Sequence, residues 1–215
     1  MLAVSEDSLR TIIPSRNFEP THQRIIFIVQ VNPERGRHIL DDLPDSIAAI
    51  VPLDAFAILD CATRWLPADF LEPTASQLND LYLIVHSVQG LKPGAYFFGR
   101  EHNALELLKE GKFRAEAHHL GLEQELPADA CVDIFFLADL KRILEQYGNR
   151  GYRAVQLEAG TIGGRIYLAA YALHLGATGL TFFDDDLISF FSPHAGDKSA
   201  IFLLAIGKPL KRKPQ

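Results

Sequence analysis

Small residues crowd the first half of one long helical segment, where their spacing makes room for a close neighbour. The segment, residues 150–186, reads RGYRAVQLEAGTIGGRIYLAAYALHLGATGLTFFDDD. It contains Ala159, Gly160, Gly163 and Gly164, and the first and last of these glycines stand one turn apart on the same helix face. Each interior glycine costs a helix roughly 1 kcal/mol relative to alanine, so this grouping indicates a site of close contact. The neighbour is either another helix, in the monomer or in a dimer, or a flat ligand.

A second run of small residues follows the helix and could supply hydrogen-bond donors. His174–Gly179 reads HLGATG and predicts a glycine cap followed by a short strand, Ala177–Phe182. Backbone N–H groups in such a strand could donate to the edge of a planar heteroaromatic ring. Asp184–Asp186 comes next. Because adjacent carboxylates point in different directions, we interpret these acids as a helix N-cap and solvated charges, not as a metal site.

Three further groups of polar residues have structural interpretations. His118 and His119 are adjacent, and their side chains point about 100° apart on a helix, which disfavours joint binding of one metal ion. Glu158 stands about one turn after Arg153, so a helix ion pair is favoured over a general base. Tyr152 and Arg153 either order a substrate or have a structural role.

The length, hydrophobic content and net charge are those of a globular protein with a large core. The chain has 215 residues, of which 48% are hydrophobic, and its formal net charge of −6 argues against a general nucleic-acid binder. No run reaches the roughly 18 apolar residues that a membrane span needs, and the first residues carry acids where a signal peptide needs a basic region. Cys61 and Cys131 lack metal-site spacing. We therefore expect a cytosolic protein with two reduced, buried thiols and no nucleic-acid or membrane partner.

Strands and helices interleave without a strict βαβ rhythm, which predicts a mixed sheet covered by helices. The predicted strands are Arg24–Val31, Asp80–Val88, Ala95–Phe98, Ala130–Leu137, Ala177–Phe182 and Ala200–Ile206. The predicted helices are Glu34–Leu43, Leu53–Ala62, Leu105–Leu108, Phe113–Leu120, Gly151–Leu175 and Asp184–Phe191. The longest helix is apolar nearly all round and should be central. The near-continuous apolar content of Ala130–Leu137 predicts burial on both faces.

The glycine-bearing run at residues 150–186 resembles the signature helix and following strand of nitroreductase-like flavoproteins. More narrowly, it is similar to the SagB-type dehydrogenases, whose best-known members oxidise azolines to azoles in modified peptides. Three other stretches agree in order and spacing: LNDLYLIVHSVQGLKPGAYFF, ALELLKEGKFRAEA and AIFLLAIGKP. The resemblance implies an α+β fold over residues 51–209, with a mixed, mostly antiparallel sheet flanked by helices around a long central helix. Residues 1–50 would be a divergent N-terminal segment and residues 210–215 a basic C-terminal tail.

The resemblance also implies a cofactor and a partner. Members of this family bind FMN, usually at the interface of an intertwined homodimer, and pass hydride between a nicotinamide cofactor or a substrate and the flavin N5. The residues that would lie against the flavin or offer backbone to its ring edge are Gly160, Gly163, Gly164, Gly176, Ala177, Thr178 and Gly179. The residues in the place of the family's Pro-Ser-Ala-Gly segment, which contacts the flavin from the partner subunit, are Pro73, Thr74, Ala75 and Ser76. The tail residues in the place of a phosphate-contacting cation are Lys208, Lys211, Arg212 and Lys213, unless this end is simply solvated.

A substrate, either a small molecule or a modified peptide, would stack over the exposed ring with Phe182, Phe183 or Tyr171 as neighbours. No residue is assigned a catalytic role, because in flavin enzymes the cofactor carries the reaction.

Two departures from the family pattern support a rival interpretation. The Arg-Arg-Ser-x-Arg segment that grips the FMN phosphate has no match, and the loose candidates are Arg10, Ser15, Arg16, Arg35 and Arg37. Many relatives also carry Gln-Asn where this chain has Gly163 and Gly164. The first hypothesis is an FMN-dependent oxidoreductase. The second is a degenerate copy of the fold that binds little or no flavin and acts as a scaffold or partner subunit.

Overall fold

A computed structural model describes residues 52–64, 66, 68, 70–71, 77–88, 90–101 and 103–208. Its helices, in chain order, are α1 (Pro52–Thr63), α2 (Arg114–Leu120), α3 (Glu125–Asp129), α4 (Leu140–Tyr147), α5 (Arg150–Ala172) and α6 (Asp184–Phe191). Its strands are β1 (Asp80–Val85), β2 (Gly94–Gly99), β3 (Ala104–Glu110), β4 (Val132–Ala138), β5 (Gly176–Leu180) and β6 (Ser199–Gly207).

The strands form one six-stranded sheet in the order β3-β2-β1-β4-β6-β5, and each neighbouring pair is antiparallel. The α+β fold is therefore confirmed, and the sheet is more regular than the mixed arrangement that we predicted. Strand β4 lies near the middle of the sheet, and each of its seven residues is buried. This confirms the prediction that its near-continuous apolar sequence is covered on both faces.

Alternating side chains divide the core into two layers. On one face, Leu83 of β1 and Ile134 of β4 pack with residues of the central helix such as Val155 and Ile162. On the other face, Tyr82 and Phe135 pack with residues of α2 and α6, among them Leu120, Leu187 and Phe191. Helix α5 therefore covers one side of the sheet, as its apolar sequence predicted, with α1 and α4 beside it.

The prediction of a short helix at Leu105–Leu108 is wrong. These residues belong to the edge strand β3, where Leu105 pairs with Phe98 and Leu107 with Tyr96. A run of four residues cannot distinguish helical from strand periodicity, so the pairing with β2 decides its conformation. The pattern also failed to reveal α3 and α4, although α4 begins with a recognisable signal: the Asp139 side chain accepts the backbone N–H of Arg142.

The end of α5 does not use the predicted glycine cap. The helix ends at Ala172, and His174 adopts the left-handed conformation with φ of 58°. Leu175 donates its N–H to the Ala170 carbonyl at 2.8 Å, and His174 donates to Tyr171 at 3.0 Å. These two bonds are those of a Schellman motif, with His174 in the position that glycine most often takes.

Several predictions concern residues outside the described part of the chain. They include the strand Arg24–Val31, the helix Glu34–Leu43, and the whole of both proposed terminal segments, residues 1–50 and 210–215. Within the described residues, none of the helices has the length and apolar character to cross a membrane. Cys131 is buried as expected, whereas Cys61 is half-buried, and both thiols are free.

Candidate functional site

Helix α5 exposes three large apolar side chains along one face. Its buried side carries Val155, Ile162 and Ile166, which pack on the sheet. The opposite side exposes Leu157, Leu168 and Tyr171, whose exposed fractions are 54%, 69% and 57%. Large apolar side chains at this exposure on one helix face indicate a surface that a ligand or another chain covers.

The glycines of α5 point in two directions. Gly160 and Gly164 lie on the exposed face, and a methyl group built on either would meet no atom within 4 Å. A methyl group on Gly163 would come within 2.9 Å of the Phe202 ring. Gly179 of β5 approaches the same ring, since a methyl group there would also lie 2.9 Å from it. Gly163 and Gly179 therefore make room for the Phe202 ring of the chain itself. Gly160 and Gly164 leave bare backbone at the surface.

Strand β5 is an edge strand that is paired only with β6 among the described residues. Gly176, Ala177 and Thr178 are half-buried and lie opposite Gly207, Ile206 and Ala205 in the register of this pair. The backbone N–H of Gly179 donates to the Tyr167 hydroxyl of α5. The strand thus stands beside the central helix, and one of its backbone donors is already bonded within the chain.

Glu158 has a different partner from the one we predicted. It does not pair with Arg153, which is exposed, because its side chain points into the core. One carboxylate oxygen lies 3.1 Å from Arg100 Nη1. The other accepts the N–H groups of Leu78 and Asn79 at 3.0 and 2.7 Å and the Asn79 side-chain amide at 2.8 Å. Glu158 therefore ties the start of β1 and the end of β2 to the central helix.

The two adjacent histidines contact neighbouring carboxylates. His119 lies 2.6 Å from Glu123 and 2.8 Å from Asp186, and these hydrogen bonds raise its pKa. His118 lies 3.0 Å from Glu123. Across the described residues, no group of His, Cys, Asp and Glu side chains is arranged to hold a metal ion.

The three acids after β5 occupy the first turn of α6. The N-cap position itself belongs to Phe183, whose side chain makes no capping bond, so the predicted N-cap role is wrong. The acids are exposed, as predicted, and complement the positive end of the helix dipole. Asp186 also bonds to His119, so this turn is tied to the end of α2.

A buried polar pair that the sequence analysis did not select lies on the other face of the sheet. His86 Nε2 is 2.9 Å from Asp133 Oδ2, and both side chains are fully buried. Loss of hydration on burial raises the pKa of Asp133 well above its ordinary value and lowers that of His86. The signal was present, because Asp133 is the only charged residue in the strand sequence ACVDIFFL.

The remaining predicted site residues lie at or near the surface or outside the described part of the chain. Tyr152 is exposed, and its hydroxyl accepts a long hydrogen bond of 3.5 Å from the Gln156 side-chain amide. Phe182 is half-buried, and Phe183 packs against the His119 ring at 5.3 Å. Lys208 follows β6 at the surface. The predicted residues outside the described part of the chain are Pro73, Thr74, Ala75, Ser76, Lys211, Arg212 and Lys213, together with the N-terminal candidates Arg10, Ser15, Arg16, Arg35 and Arg37.

The described residues fit one side of a flat, ring-shaped group. The bare backbone at Gly160 and Gly164 leaves space that any larger residue would fill, and apolar side chains flank it on α5. Gly163 and Gly179 do not contribute open space, because Phe202 occupies it. Of the glycines predicted to lie near the flavin, Gly160 and Gly164 therefore have open space beside them, and contact of any of these glycines with a flavin stays a prediction.

The sheet, its two helical layers and the glycine-bearing central helix define an α+β protein whose central helix exposes large apolar side chains. The profile of the nitroreductase family matches residues 51–208. The chain therefore belongs to the nitroreductase family.

Individual relatives agree with this assignment. A protein of Methanocaldococcus jannaschii assigned as a nitroreductase is 28% identical over 109 residues, which are 50% of this chain and 55% of that protein. A crystal structure of an Anabaena variabilis protein, also assigned as a nitroreductase, is 34% identical and has a TM-score of 0.63, covering 71% of this chain and 33% of that chain. The chain thus spans only part of both relatives.

A third solved structure is similar to this chain in fold alone. The Escherichia coli microcin synthetase McbBCD complex, with truncated pro-MccB17 bound, contains a chain that is 15% identical and has a TM-score of 0.61. The match covers 97% of this chain and 84% of that chain.

Proposed function

We propose that this chain is an FMN-dependent oxidoreductase, or the part of one that binds the flavin. The observation that carries the proposal is the exposed glycine backbone of α5 in a chain of the nitroreductase family. Glycine lowers the stability of a helix, so glycines in a helix indicate that another group approaches closely. A side-chain carbon added at Gly160 or Gly164 would contact no atom of the described structure. A planar ring is a group that such a surface accommodates.

The chain's own residues would bind and orient the flavin. When bound, FMN supplies hydride transfer through its N5 atom, with a nicotinamide cofactor as the proposed electron donor. The exposed backbone of α5 and the start of β5, Gly176–Thr178, would lie along the ring, and exposed Tyr171 would border a substrate. Lys208 with Lys211 and Arg212 would supply positive charge for the phosphate, and Pro73–Ser76 would contact the flavin of a partner subunit.

We also propose a homodimer that is formed through α5. Leu157, Leu168 and Tyr171 expose more than half of their surface along one face of this helix. A C2 interface brings the same patch of two subunits together, so an apolar stripe with glycine gaps is a suitable contact surface. The proposed domain limits are residues 51–209 for the flavin-binding body, with 1–50 and 210–215 as terminal segments.

The proposed subgroup is the SagB-type dehydrogenases, with a small molecule or a modified peptide as substrate. The run at residues 150–186 supports this proposal. The alternative is a scaffold or partner subunit that binds little flavin. A specific observation favours it: Phe202 fills the space beside Gly163 and Gly179, and Tyr167 occupies the Gly179 N–H.

A visible spectrum and an FMN titration distinguish the two. The enzyme hypothesis predicts a yellow protein as purified, or a colourless one that quenches the fluorescence of added FMN at a one-to-one ratio. Replacing Gly160 by leucine places a side chain on the open face and should abolish binding, whereas the exposed Gln146→Leu of α4 should not. A colourless wild-type protein that leaves FMN fluorescence unchanged would support the scaffold hypothesis.

A further inference from the structure

A tyrosine hydroxyl of the chain accepts a hydrogen bond from a backbone N–H in the candidate site. Tyr167 projects from α5, and its hydroxyl accepts the N–H of Gly179 in β5. This N–H is therefore donated to a side chain and not to the neighbouring strand β6. Because β5 stands at the edge of the sheet among the described residues, the donor lies on the side of the strand that no other strand covers.

The position of Gly179 leaves little freedom for another arrangement. The Phe202 ring packs against its Cα, where a methyl group would come within 2.9 Å. The strand is therefore held at a fixed distance from α5 by the ring, and Tyr167 reaches across beside it. The Tyr167 ring meets the exposed Tyr171 ring nearly edge-on, with 5.9 Å between centroids, so it borders the surface and not the deep core.

We propose that Tyr167 competes with the flavin for the Gly179 N–H and so sets the affinity for FMN. The inference rests on the proposed function, since it takes FMN as the ligand of this strand. An acceptor atom at the flavin ring edge can bond to Gly179 only after the phenol hydroxyl has left it. Tyr167 is thus a positioning residue that keeps the donor satisfied while the site is free of ligand.

The test is the substitution Tyr167→Phe in the full chain, with FMN affinity measured by fluorescence titration. Removing the hydroxyl frees the Gly179 N–H without changing the ring, so FMN should bind roughly 2- to 10-fold more tightly, the equivalent of one neutral hydrogen bond. The matched control is Tyr96→Phe. Tyr96 also bonds a main-chain atom through its hydroxyl, at 2.7 Å from the Lys92 carbonyl, but on β2. The Tyr96→Phe variant should bind FMN with the same affinity as the wild type.

The melting temperature separates this role from a purely structural one. Both variants lose one hydroxyl bond, so both should melt slightly lower without ligand, whereas only Tyr167→Phe should gain affinity. Equal or weaker FMN binding by Tyr167→Phe, when the wild type binds FMN, overturns the inference and leaves the proposed function intact. An equal gain in Tyr96→Phe also overturns it. If neither the wild type nor Tyr167→Phe binds FMN, the inference and the proposed function both fail.

Discussion

Glu158 and Arg100 form a buried ion pair with 3.1 Å between Oε1 and Nη1, and their side chains are only 1% and 6% exposed. A buried charge needs both its partner and its hydrogen bonds, since hydration is lost. Glu158 has three N–H donors in addition to Arg100, all from Leu78 and Asn79. The pair therefore fixes where β1 begins relative to the central helix.

The substitution Glu158→Gln should lower the free energy of unfolding by about 3 kcal/mol, because it leaves the Arg100 charge buried without a counter-charge. Urea denaturation measures the change. The control is Glu145→Gln on α4, an exposed residue whose replacement should change stability by no more than about 0.5 kcal/mol. Similar midpoints for both variants would show that the buried pair is not important for stability.

Two neighbouring glycines of α5 should respond to alanine with opposite signs. Gly163→Ala puts a methyl group 2.9 Å from the Phe202 ring and should destabilise the protein by about 1–3 kcal/mol. Gly164→Ala meets open space and should stabilise the isolated subunit by up to about 1 kcal/mol through helix propensity. Urea unfolding at low protein concentration gives both values. A loss in both variants would mean that the face carrying Gly164 is already packed.

Leu168 tests the proposed dimer. Its side chain is 69% exposed on α5, so Leu168→Glu should leave the subunit folded but place charge in the interface. Light scattering after gel filtration should then give the 23.9 kDa monomer instead of twice that mass. The control, Leu126→Glu, alters a leucine of α3 that is 53% exposed and should remain dimeric. A wild-type protein that is monomeric would refute the dimer directly.

The buried pair of His86 and Asp133 should make stability depend on pH. Burial raises the pKa of Asp133 in the folded protein above the value of 3.8 in the unfolded chain. The stability that this carboxyl contributes is therefore fully present below pH 3.8 and is lost as the pH rises through the folded-state pKa. The stability of the wild type relative to Asp133→Asn should therefore decrease with rising pH, with a slope of up to about 1.4 kcal/mol per pH unit. The lowered pKa of His86 acts in the opposite direction, with its contribution lost as the pH falls below 6.5.

The measurement is urea denaturation of the wild type and Asp133→Asn between pH 4 and 8. The control is Asp197→Asn, which removes an exposed carboxylate instead of a buried one. A difference for Asp133→Asn that stays flat or grows with pH would contradict the direction of the shift.

Much of the fold could be predicted from the sequence because the longer elements have clear periodicity. The central helix, the buried strand β4 and the two strands β1 and β2 were all expected, and the structure contains them. Short segments were less certain: Leu105–Leu108 has too few residues to establish a period, and pairing with β2 decided its form.

The candidate site was predictable in outline but not in its contacts. The glycine spacing identified the helix, yet it could not show which glycines face the Phe202 ring, because Phe202 lies on a strand about 40 residues away in sequence. Likewise, Arg153 was the nearest basic residue to Glu158 in the sequence, whereas folding brings Arg100 to it. Contacts between distant segments depend on the packed fold and not on local spacing.

The Phe202 ring acts as a wedge between α5 and β5, with a missing side chain on each side of it. The residue at position 202 and those at positions 163 and 179 are therefore under a single steric constraint. A small residue at position 202 would leave room for alanine at the other two positions, whereas an aromatic ring there favours glycine at both. During evolution the three positions should change together, so their covariation among relatives would trace how this helix and this strand came to be spaced.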